Sequence, residues 1–407
     1  MESNHKRFDE NTLLEKIFKQ LDISQTDYEK AVESYNAVGK YLVEILGKTA
    51  NIYPQGSFLY GTVTRPYFQG KDAEYDIDLV CEFIPSPDTA EACKTLVGNA
   101  LKASERYKKM LKDEEGRRCW TLEYAKTGEA DFHMDILPSK PASADRIKKL
   151  TDQGVPIEYA NTAIQITTKI VDGYKWDYSN PKGFKAWLDD VTILYMKEIR
   201  VMHEDSVESV PSQYESQTPV HRVIQILKRH RDIRFDTAGL NDIKPMSMII
   251  TTLVTRVAEA NTNKSVSVFE LLEMVIRSAD KVKTLSEQNM RYDAFEESFI
   301  KRKDNGEWEI NNPVDPEENF AETWHKNNSE KAKAFFQWVD WLKQDLLIPL
   351  KSRDSVQAFK GLSDGLGKGF VKNVFDELKL PITAPTIHIS KKEDIDTMPK
   401  PWKPDER

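Results

Sequence analysis

Two aspartates that alternate with apolar residues constrain this chain more than any other feature of its sequence. Asp76 and Asp78 flank Ile77, and the apolar run Leu79-Val80-Cys81 follows directly. Alternate residues of a β-strand face the same side, so both carboxylates should project together, about 6–7 Å apart at the backbone. Two like charges at that spacing are unfavourable unless a cation neutralises them. The pattern predicts a metal-binding strand, although an isolated Asp-x-Asp is usually a solvent-exposed strand edge.

A Gly-Ser pair upstream of these aspartates predicts a phosphate-binding turn. Tyr53-Pro54-Gln55 is typical of a strand end, and the run 57–60 is typical of a helix beginning. Gly56 lets the backbone approach a phosphate, while the helix N-terminus and the Ser57 hydroxyl supply hydrogen-bond donors. Because a Gly-Ser pair alone indicates only a turn, this interpretation depends on its order and spacing relative to the two aspartates.

A second alternating pattern offers a third carboxylate. Asp131, His133 and Asp135 would share one face of a strand that ends near Pro138. We expect Asp135 to be the third metal ligand and to help activate an attacking hydroxyl, and Asp131 to be a solvent-facing residue of an edge strand. Mg²⁺ prefers carboxylate oxygens together with substrate phosphates, and two such ions clamp the attacking and leaving oxygens in phosphoryl transfer. The three aspartates therefore predict a two-metal site.

This constellation resembles the polymerase-β-like nucleotidyltransferase superfamily, and more narrowly the bacterial cGAS/DncV-like nucleotidyltransferases, or CD-NTases. The resemblance extends from about residue 10 to about residue 380. Beyond the glycine-serine turn and the aspartates, the stretches that carry it are Gln55–Thr62, Asp177–Phe184, Leu227–Asp232 and Lys244–Ser247. One departure is the 18-residue separation of Ser57 from Asp76, which is longer than the compact superfamily pattern. The insert Tyr67–Lys71 is expected to form a loop beside the site.

The resemblance implies an α+β fold with two lobes. We expect a polymerase-β-like nucleotidyltransferase core, in which helices back a small mixed sheet, and a helical C-terminal lobe. The expected divisions are spine helices over residues 1–50, the core over 51–215, the helical lobe over 216–380 and a loosely ordered tail over 381–407.

The resemblance also implies an activity: joining NTPs into a cyclic di- or trinucleotide second messenger, with release of pyrophosphate, in anti-phage signalling of the CBASS type. Two Mg²⁺ ions are expected at Asp76, Asp78 and Asp135, with Mn²⁺ as an alternative. ATP and other NTPs are the implied substrates. The implied partners are an effector activated by the cyclic nucleotide and CBASS regulatory proteins. Base selectivity, linkage and ring size stay open.

The donor triphosphate is expected to be held by Gln55, Gly56, Ser57, Lys228 and Ser247. Lys228 borders an apolar stripe of a predicted helix over Pro219–Asp232, from which it can neutralise phosphates. From the residues alone, the run Lys228–Arg231 is a solvated charged face, and only the resemblance favours phosphate binding. Ser247 is expected early in a helix over Met246–Glu259, where helix capping is the rival role.

Two other functions are compatible with the same carboxylates: a template-independent transferase that acts on RNA or protein, and a catalytically silent nucleotide-binding module. The net charge is −8, with 66 acidic against 58 Lys and Arg residues. Nucleic-acid binding needs a large basic surface, so this balance disfavours an RNA path and a duplex DNA activator. The presence of all three carboxylates disfavours the silent module.

Cysteine usage and hydropathy predict a cytoplasmic protein without a membrane partner. Cys81, Cys93 and Cys119 have no CxxC spacing, which disfavours a zinc module and a disulfide framework. The sequence has no 18-residue apolar run, and its N-terminus lacks the apolar core of a signal peptide.

Local patterns predict further elements around the site. Helices are expected over about 10–47, with a break near Asp22–Thr26 and a capping box at Thr26–Glu29. A strand Trp120–Tyr124, a turn Thr127–Glu129 and a strand Phe132–Leu137 should bring Asp135 beside the Asp76 strand. Irregular structure is expected over 139–160, and a turn-rich stretch over 176–183. Within that stretch, Trp176 and Tyr178 are minor candidates for stacking on a base. A linker over 203–217, a largely helical remainder to about 380 and a break over Gly361–Gly369 complete the expectations.

Overall fold

A computed structural model of the chain describes residues 7–383, except 48, 74, 125–131, 196–217, 262–265, 289, 291 and 296–297. Four expectations therefore lie outside the described residues. They concern the turn at 127–129, Asp131, the linker over 203–217 and most of the tail.

Strands dominate the middle of the first half of the chain, whereas helices dominate the second half. The strands are β1 (Ala50–Gln55), β2 (Tyr67–Phe68), β3 (Lys71–Asp72), β4 (Tyr75–Phe83), β5 (Trp120–Glu123), β6 (Phe132–Pro141), β7 (Ile164–Ile170), β8 (Gly173–Ser179), β9 (Lys301–Arg302), β10 (Trp308–Glu309), β11 (Asn311–Asn312) and β12 (Asp315–Asn319). The helices are α1 (Glu10–Leu21), α2 (Gln25–Leu46), α3 (Gly56–Leu59), α4 (Ala90–Ala103), α5 (Glu105–Met110), α6 (Ala144–Asp152), α7 (Ile157–Ala160), α8 (Pro181–Ile193), α9 (Pro219–Thr237), α10 (Ser247–Glu259), α11 (Val268–Glu287), α12 (Glu330–Leu342), α13 (Ile348–Ser352), α14 (Ser355–Leu366) and α15 (Lys368–Glu377), with a π-helical turn at Lys343–Leu347.

The main sheet is mixed, in the order β1-β4-β6-β7-β8, and β5 also pairs with β6. Strands β4 and β6 are parallel, which places Asp78 opposite Asp135. Strand β5 is antiparallel to β6, and β1 is antiparallel to β4. The predicted α+β class is confirmed, and so is the predicted position of the Asp135 strand beside the Asp76 strand.

Alternation along β4 and β6 separates the core from the carboxylates. Ile77 and Leu79 of β4 belong to a large apolar cluster with Met134 and Ile136 of β6. Helices α2 and α4 supply the other side of this cluster, including Tyr35 and Val97. Because neighbouring residues of a strand face opposite sides, the aspartates project from the face that these helices leave uncovered.

The N-terminal helices form as predicted, but their cap differs. The break falls between Leu21 and Gln25. The expected capping box at Thr26–Glu29 is wrong, because Ser24 has extended backbone angles and its hydroxyl accepts a hydrogen bond from the Asp27 N–H at 3.1 Å. A serine already in the capping conformation starts the helix before Thr26.

The predicted irregular structure over 139–160 is wrong. Strand β6 continues through Pro138 to Pro141, where it pairs with β7, and helices α6 and α7 follow. Ser143 caps α6 by accepting a hydrogen bond from the Arg146 N–H. Most of the predicted turn-rich stretch 176–183 is also regular structure, because β8 pairs with β7 along its whole length. Non-local pairing overrides the local turn preference here.

The glycine-rich segment near residue 365 is mostly helix, contrary to expectation. Helix α14 runs through Gly361 and Gly365 and stops at Gly367, whose φ is +97°. A Cβ on Gly361 would lie 2.3 Å from Pro349 Cγ, and one on Gly365 would lie 2.7 Å from the ring of His230. These glycines therefore permit close packing rather than a break. The helical remainder is also interrupted by β9–β12.

Helix α9 is buried on almost all sides, and the larger apolar cluster surrounds it. That cluster includes Leu59, Tyr60 and Phe184 from the first half of the chain and residues of α10–α15 from the second. The division into a core over 51–215 and a lobe over 216–380 stays a prediction, and the cluster crosses it. No described helix is long and apolar enough to cross a membrane.

A buried charged network fixes α9 against the C-terminal helices. The carboxylate of Asp345, which is 2% exposed, accepts hydrogen bonds from Arg234 Nε and Nη2 at 2.5 Å. It also contacts Nε2 of the fully buried His230 at 3.0 Å, while Trp338 donates to the other ring nitrogen. Burial opposes ionisation of Asp345, but these partners hold the pKa of its carboxyl below the usual range.

Replacing Asp345 with asparagine should lower the free energy of unfolding by about 3 kcal/mol, because it leaves the largely buried Arg234 without its counter-charge. Urea-induced unfolding measures the change. The difference between wild type and variant should shrink as the pH falls below about 4, where the unfolded carboxylate takes up protons before the folded one.

The matched control is Asp340→Asn, because Asp340 pairs with Lys283 at 3.0 Å in a partly exposed position. Its cost should stay below about 1 kcal/mol. Equal losses in the two variants would show that the buried network adds nothing special.

Candidate active site

The turn after β1 brings backbone directly against a carboxylate. Gln55 ends β1 opposite Asp78, and Gly56 begins the short helix α3 with a φ of +63°. A Cβ on Gly56 would lie 2.0 Å from Oδ2 of Asp78. Glycine is therefore required both by the backbone angle and by the space.

The three predicted metal ligands lie on neighbouring strands, on one face of the sheet. Asp78 pairs with Asp135, and Asp76 pairs with His133 in the same register. Burial raises the pKa of Asp78 to about 7, and the negative charges of Asp135 and Asp76 add to the effect. Burial also raises the pKa of Asp135. The pair thus places two carboxylates side by side where burial disfavours their charge, and Lys228 offsets the effect on Asp78 only in part.

Thr121 holds the carboxylate of Asp135, and His133 lies near that of Asp76. The Thr121 hydroxyl, on β5, donates to Oδ1 of Asp135 at 2.5 Å. Nδ1 of His133 lies 3.6 Å from Oδ1 of Asp76, whose side chain is mostly exposed. Sequence reasoning missed Thr121, because its place beside Asp135 depends on the strand register.

These carboxylates are the type of ligand that a hard divalent cation prefers, but their side chains are not arranged around a common point. Their oxygens are the donors that Mg²⁺ prefers. The pKa of Asp78 is raised by burial first and by the charges of Asp135 and Asp76 second, and a bound cation would favour its ionised form. Within the described part of the chain, no group of three or more acidic, histidine or cysteine side chains is gathered closely enough to hold a metal ion. Binding an ion between Asp76, Asp78 and Asp135 therefore requires these side chains to turn towards one another.

Lys228 enters the same site from α9. It is 6% exposed, and its Nζ donates to the carbonyl and hydroxyl oxygens of Thr62 at 3.2 and 2.9 Å. Burial, together with the positive charge of Arg231, lowers the pKa of Lys228 to about 7, whereas Asp232 and Asp78 oppose this. The alternative of a solvated charged face over Lys228–Arg231 is wrong, because all four side chains are buried.

Ser247 lies at the first turn of α10, and it is not the cap residue. Met246 occupies the N-cap position without a side-chain hydrogen bond, and the Ser247 hydroxyl accepts a hydrogen bond from Arg231 at 3.0 Å. The first turn of α10 therefore has no side-chain cap on its N–H groups. Uncapped N–H groups at a helix N-terminus favour an anion.

Sequence reasoning assigned no site role to three charged residues that line the cleft with Ser247: Arg231, Asp232 and Lys244. The Asp232 carboxylate accepts hydrogen bonds from both Arg231 and Lys244, at 2.9 and 3.0 Å. The sequence did contain a signal for Arg231. It follows Lys228 by three residues, and residues three apart share a helix face, so both side chains could reach the same site.

A cleft of about 370 Å³ is lined both by residues around the aspartates and by residues of α9 and α10. Its lining includes Gly56, Ser57, Asp76, Asp78, Lys228 and Ser247, together with Arg231, Asp232 and Lys244. Gln55 and Asp135 do not line it but flank Asp78 in the sheet. Trp176 and Tyr178 also lie outside the lining, beneath the cations of Lys140 and Arg146.

The insert 67–71 forms a hairpin of β2 and β3, where the sequence predicted a loop. The backbone N–H groups of Gln69 and Gly70 donate to Asp236 of α9, at 2.8 and 3.0 Å. Arg229 of α9 donates to Asp72 at 2.6 Å. The insert therefore ties the segment between the turn and β4 to the helix that carries Lys228.

Residues 50–138 match the family model described as the nucleotidyltransferase domain of cyclic GMP-AMP synthase DncV-like proteins. Over these residues the chain is similar to a DncV-like nucleotidyltransferase domain. The matched region begins with β1 and includes the glycine-serine turn and all three aspartates.

Relatives of known sequence or structure extend the similarity over most of the chain. A c-di-GMP synthase from Roseivirga ehrenbergii is 28% identical over 350 residues, covering 84% of this chain and 80% of the relative. The GTP complex of CdnG, a CD-NTase from Bradyrhizobium diazoefficiens, has a TM-score of 0.62 at 19% identity and covers 91% of this chain and 99% of its own. DncV from Vibrio cholerae, bound to a linear intermediate, has a TM-score of 0.50 at 16% identity and covers 88% and 86%. The chain has the CD-NTase fold.

Replacing Gly56 with alanine should reduce pyrophosphate release from NTPs about 100-fold, because the new methyl group displaces Asp78 by an ångström or more. A coupled pyrophosphate assay measures the rate. The control is Gly154→Ala, because Gly154 also has a positive φ, but a Cβ there would meet nothing within 4 Å. Similar rate losses in both variants would trace the effect to backbone strain instead.

Replacing Thr121 with valine should slow turnover about tenfold or more, because Asp135 loses a hydrogen bond of the charge-assisted kind. Steady-state rates and thermal unfolding separate this effect from instability. Thr121→Ser retains the hydroxyl and should keep most of the activity. A valine variant as fast as wild type would exclude a role for Thr121 in orienting Asp135.

Proposed function

We propose that this protein is a metal-dependent nucleotidyltransferase that joins NTPs into a cyclic di- or trinucleotide and releases pyrophosphate. One observation carries the proposal: Asp78 and Asp135 are paired across parallel strands beside Gly56, and the same cleft contains Lys228 and Ser247. Carboxylates for a cation and donors for phosphate thus line one cleft.

The donor triphosphate is proposed to bind between α3 and α10. Gly56 allows its approach, and the Ser57 hydroxyl and the first turn of α10 offer hydrogen bonds. Lys228 supplies a positive charge from α9. The lowered pKa of Lys228 supports this role, because an anionic phosphate would stabilise the protonated form that burial disfavours. Gln55, which flanks Asp78, completes the proposed set.

Asp76, Asp78 and Asp135 are proposed to hold two Mg²⁺ ions, with Mn²⁺ as a substitute. When bound, such ions neutralise phosphate charge and lower the pKa of a coordinated hydroxyl. Asp135 is proposed to help take the proton from the attacking ribose hydroxyl, and Thr121 keeps that carboxylate in place. The hydroxyl oxygen forms a bond to the α-phosphorus, and the bond from that phosphorus to pyrophosphate breaks. Repetition of this step within the linear product closes the ring.

Cyclisation is preferred to the tailing of RNA or labelling of protein for two reasons. The curated relative is a c-di-GMP synthase and matches 84% of this chain. The excess of acidic residues, 66 against 58, is unfavourable for an extended RNA path. Incubation with NTPs alone distinguishes the two, because only a cyclase forms small phosphatase-resistant products without an added acceptor.

The biological setting is part of the same proposal. We place the enzyme in CBASS-type anti-phage signalling, with a downstream effector that the cyclic nucleotide activates and with CBASS regulatory proteins as further partners. A cytoplasmic location accords with three cysteines that form no disulfide.

Replacing Asp76 and Asp78 together with alanine should abolish pyrophosphate release from mixed NTPs, because both ions lose shared ligands. Wild-type protein treated with EDTA should lose activity and regain it with added Mg²⁺. Asp88→Ala is the control, since Asp88 is exposed in the loop that follows β4. Mass spectrometry of the product from all four NTPs identifies the ring. Full activity in the folded double variant would end the proposal.

A further inference from the structure

A second cleft, outside the candidate active site, is also lined by helix α10. Its volume is about 300 Å³. Its lining includes Thr252, Arg256, Phe299, Lys301, Glu309 and Asn311. Among the described residues, none lines both this cleft and that of the candidate active site. Small-molecule sites in proteins are clefts of about 300–1,000 Å³, so this one has room for a ligand at the small end of that range.

Helix α10 presents a different face to each of the two clefts. Ser247 and Thr251, four residues apart, line the candidate active site. Thr252 and Arg256, also four residues apart, line the second cleft. Residues four apart share a helix face, and one step along the chain turns the side chain by about 100° around the axis. A ligand in the second cleft would therefore contact α10 from another side than the proposed triphosphate.

Short strands of the second half of the chain complete the lining. Lys301 of β9 is the antiparallel partner of Glu309 of β10, so these two side chains are cross-strand neighbours. Trp308 and Ile310 are buried, whereas Glu309 and Asn311 line the cleft. Alternation along this stretch thus anchors its apolar residues in the core and turns its polar residues to the cleft.

Two buried polar atoms in this lining have no internal partner. The hydroxyls of Thr251 and Thr255 donate to the backbone carbonyls one turn earlier, at 3.0 and 2.8 Å. The Thr252 hydroxyl makes no such bond, and it has no hydrogen-bond partner among the described residues although the residue is only 3% exposed. Oδ1 of Asn311 is buried without a partner in the same way. Buried groups of this kind are costly unless something binds them, so both favour a polar ligand.

The charges around the cleft favour an anion. Glu309 pairs with Lys303 at 3.5 Å, and Arg256 pairs with Glu259 at 2.9 Å. Lys301 has no ion pair within the part of the chain that the structure describes, so one cation of the lining is left over.

An aromatic ring gives the same lining a flat apolar surface. Phe299 is partly exposed and packs against the larger apolar cluster on its other side. A planar ring such as a nucleobase stacks on an aromatic side chain of this kind. The lining therefore combines a surface for a ring with a cation for an anionic group and with unpartnered polar atoms.

We propose that the second cleft binds a nucleoside monophosphate. Lys301 and Arg256 attract its phosphate, its base stacks on Phe299, and its N–H groups donate to the free oxygen of Asn311. This site is separate from the three aspartates, and the inference does not rest on the proposed function.

Titration calorimetry with AMP tests the site in the full-length protein. Lys301→Gln should weaken the binding of AMP about tenfold or more, because the phosphate loses a charge-assisted hydrogen bond in a sheltered position. Arg302→Gln is the matched control. It removes the same charge from the next residue of β9, whose guanidinium lies over the ring of Trp308 instead, and it should bind AMP as wild type does. Thermal unfolding monitors the folding of both variants.

Thr252→Val tests the unpartnered hydroxyl independently. Without ligand, this variant should unfold at a higher temperature than wild type, because an unsatisfied buried group is replaced by a methyl group of similar shape. Its affinity for AMP should fall several-fold. Thr255→Val is the matched control, since it removes the hydroxyl that is bonded to Thr251 at 2.8 Å. It should unfold at a lower temperature than wild type and keep the affinity for AMP.

Three results would overturn the inference. They are the absence of AMP binding to wild type at millimolar concentration, an unchanged affinity in folded Lys301→Gln, and binding that Lys228→Gln abolishes but Lys301→Gln does not, which would place AMP in the candidate active site. Ribose 5-phosphate should bind at least tenfold more weakly than AMP, because it lacks the base. Equal binding of the two would overturn the assignment of a nucleotide. Failure of wild type to release pyrophosphate from NTPs would overturn the proposed function alone.

Discussion

Repulsion between two carboxylates on adjacent parallel strands is the interaction on which the rest of this structure depends. Asp78 and Asp135 are brought together by backbone pairing, which the apolar residues on the other face of β4 and β6 stabilise. The large helix-backed core thus fixes two negative charges side by side in an arrangement that neither would favour alone. Such a pair of carboxylates attracts a cation. It also repels the negative charge of a phosphate unless positive charge lies near.

Helix α9 supplies that positive charge at a cost in solvation. Lys228, Arg229, His230 and Arg231 are all buried, and each has oxygen, nitrogen or carboxylate partners from another part of the chain. Some of these partners hold the helix in place, as Asp345 does, and others face the cleft. One helix therefore connects the lining of the cleft to the packing of the C-terminal helices. The hairpin between the turn and β4 is hydrogen-bonded to the same helix.

Local patterns in the sequence were sufficient to predict the strands that carry Asp76, Asp78 and Asp135, the adjacency of those two strands and the break in the N-terminal helices. They failed in several places where a distant partner decided the outcome. Strand β8 forms because β7 pairs with it, and α14 continues through two glycines because Pro349 and His230 need the space. Thr121 and Lys244 join the candidate site through register and helix packing, which spacing along the chain does not encode. The burial of four consecutive basic residues was similarly invisible, because it depends on partners far away in sequence.

The shared apolar cluster bears on how a product would leave. Leu59 and Tyr60, just after the glycine-serine turn, pack in the same cluster as the helices that follow α9. A hinge motion that separates the two halves of the chain would expose that apolar surface to water. The free-energy cost would be about 25 cal/mol for every Å² uncovered. Release through small rearrangements at the rim of the cleft avoids this penalty. A growing linear intermediate could then stay enclosed between successive bond-forming steps, which would favour ring closure over early escape.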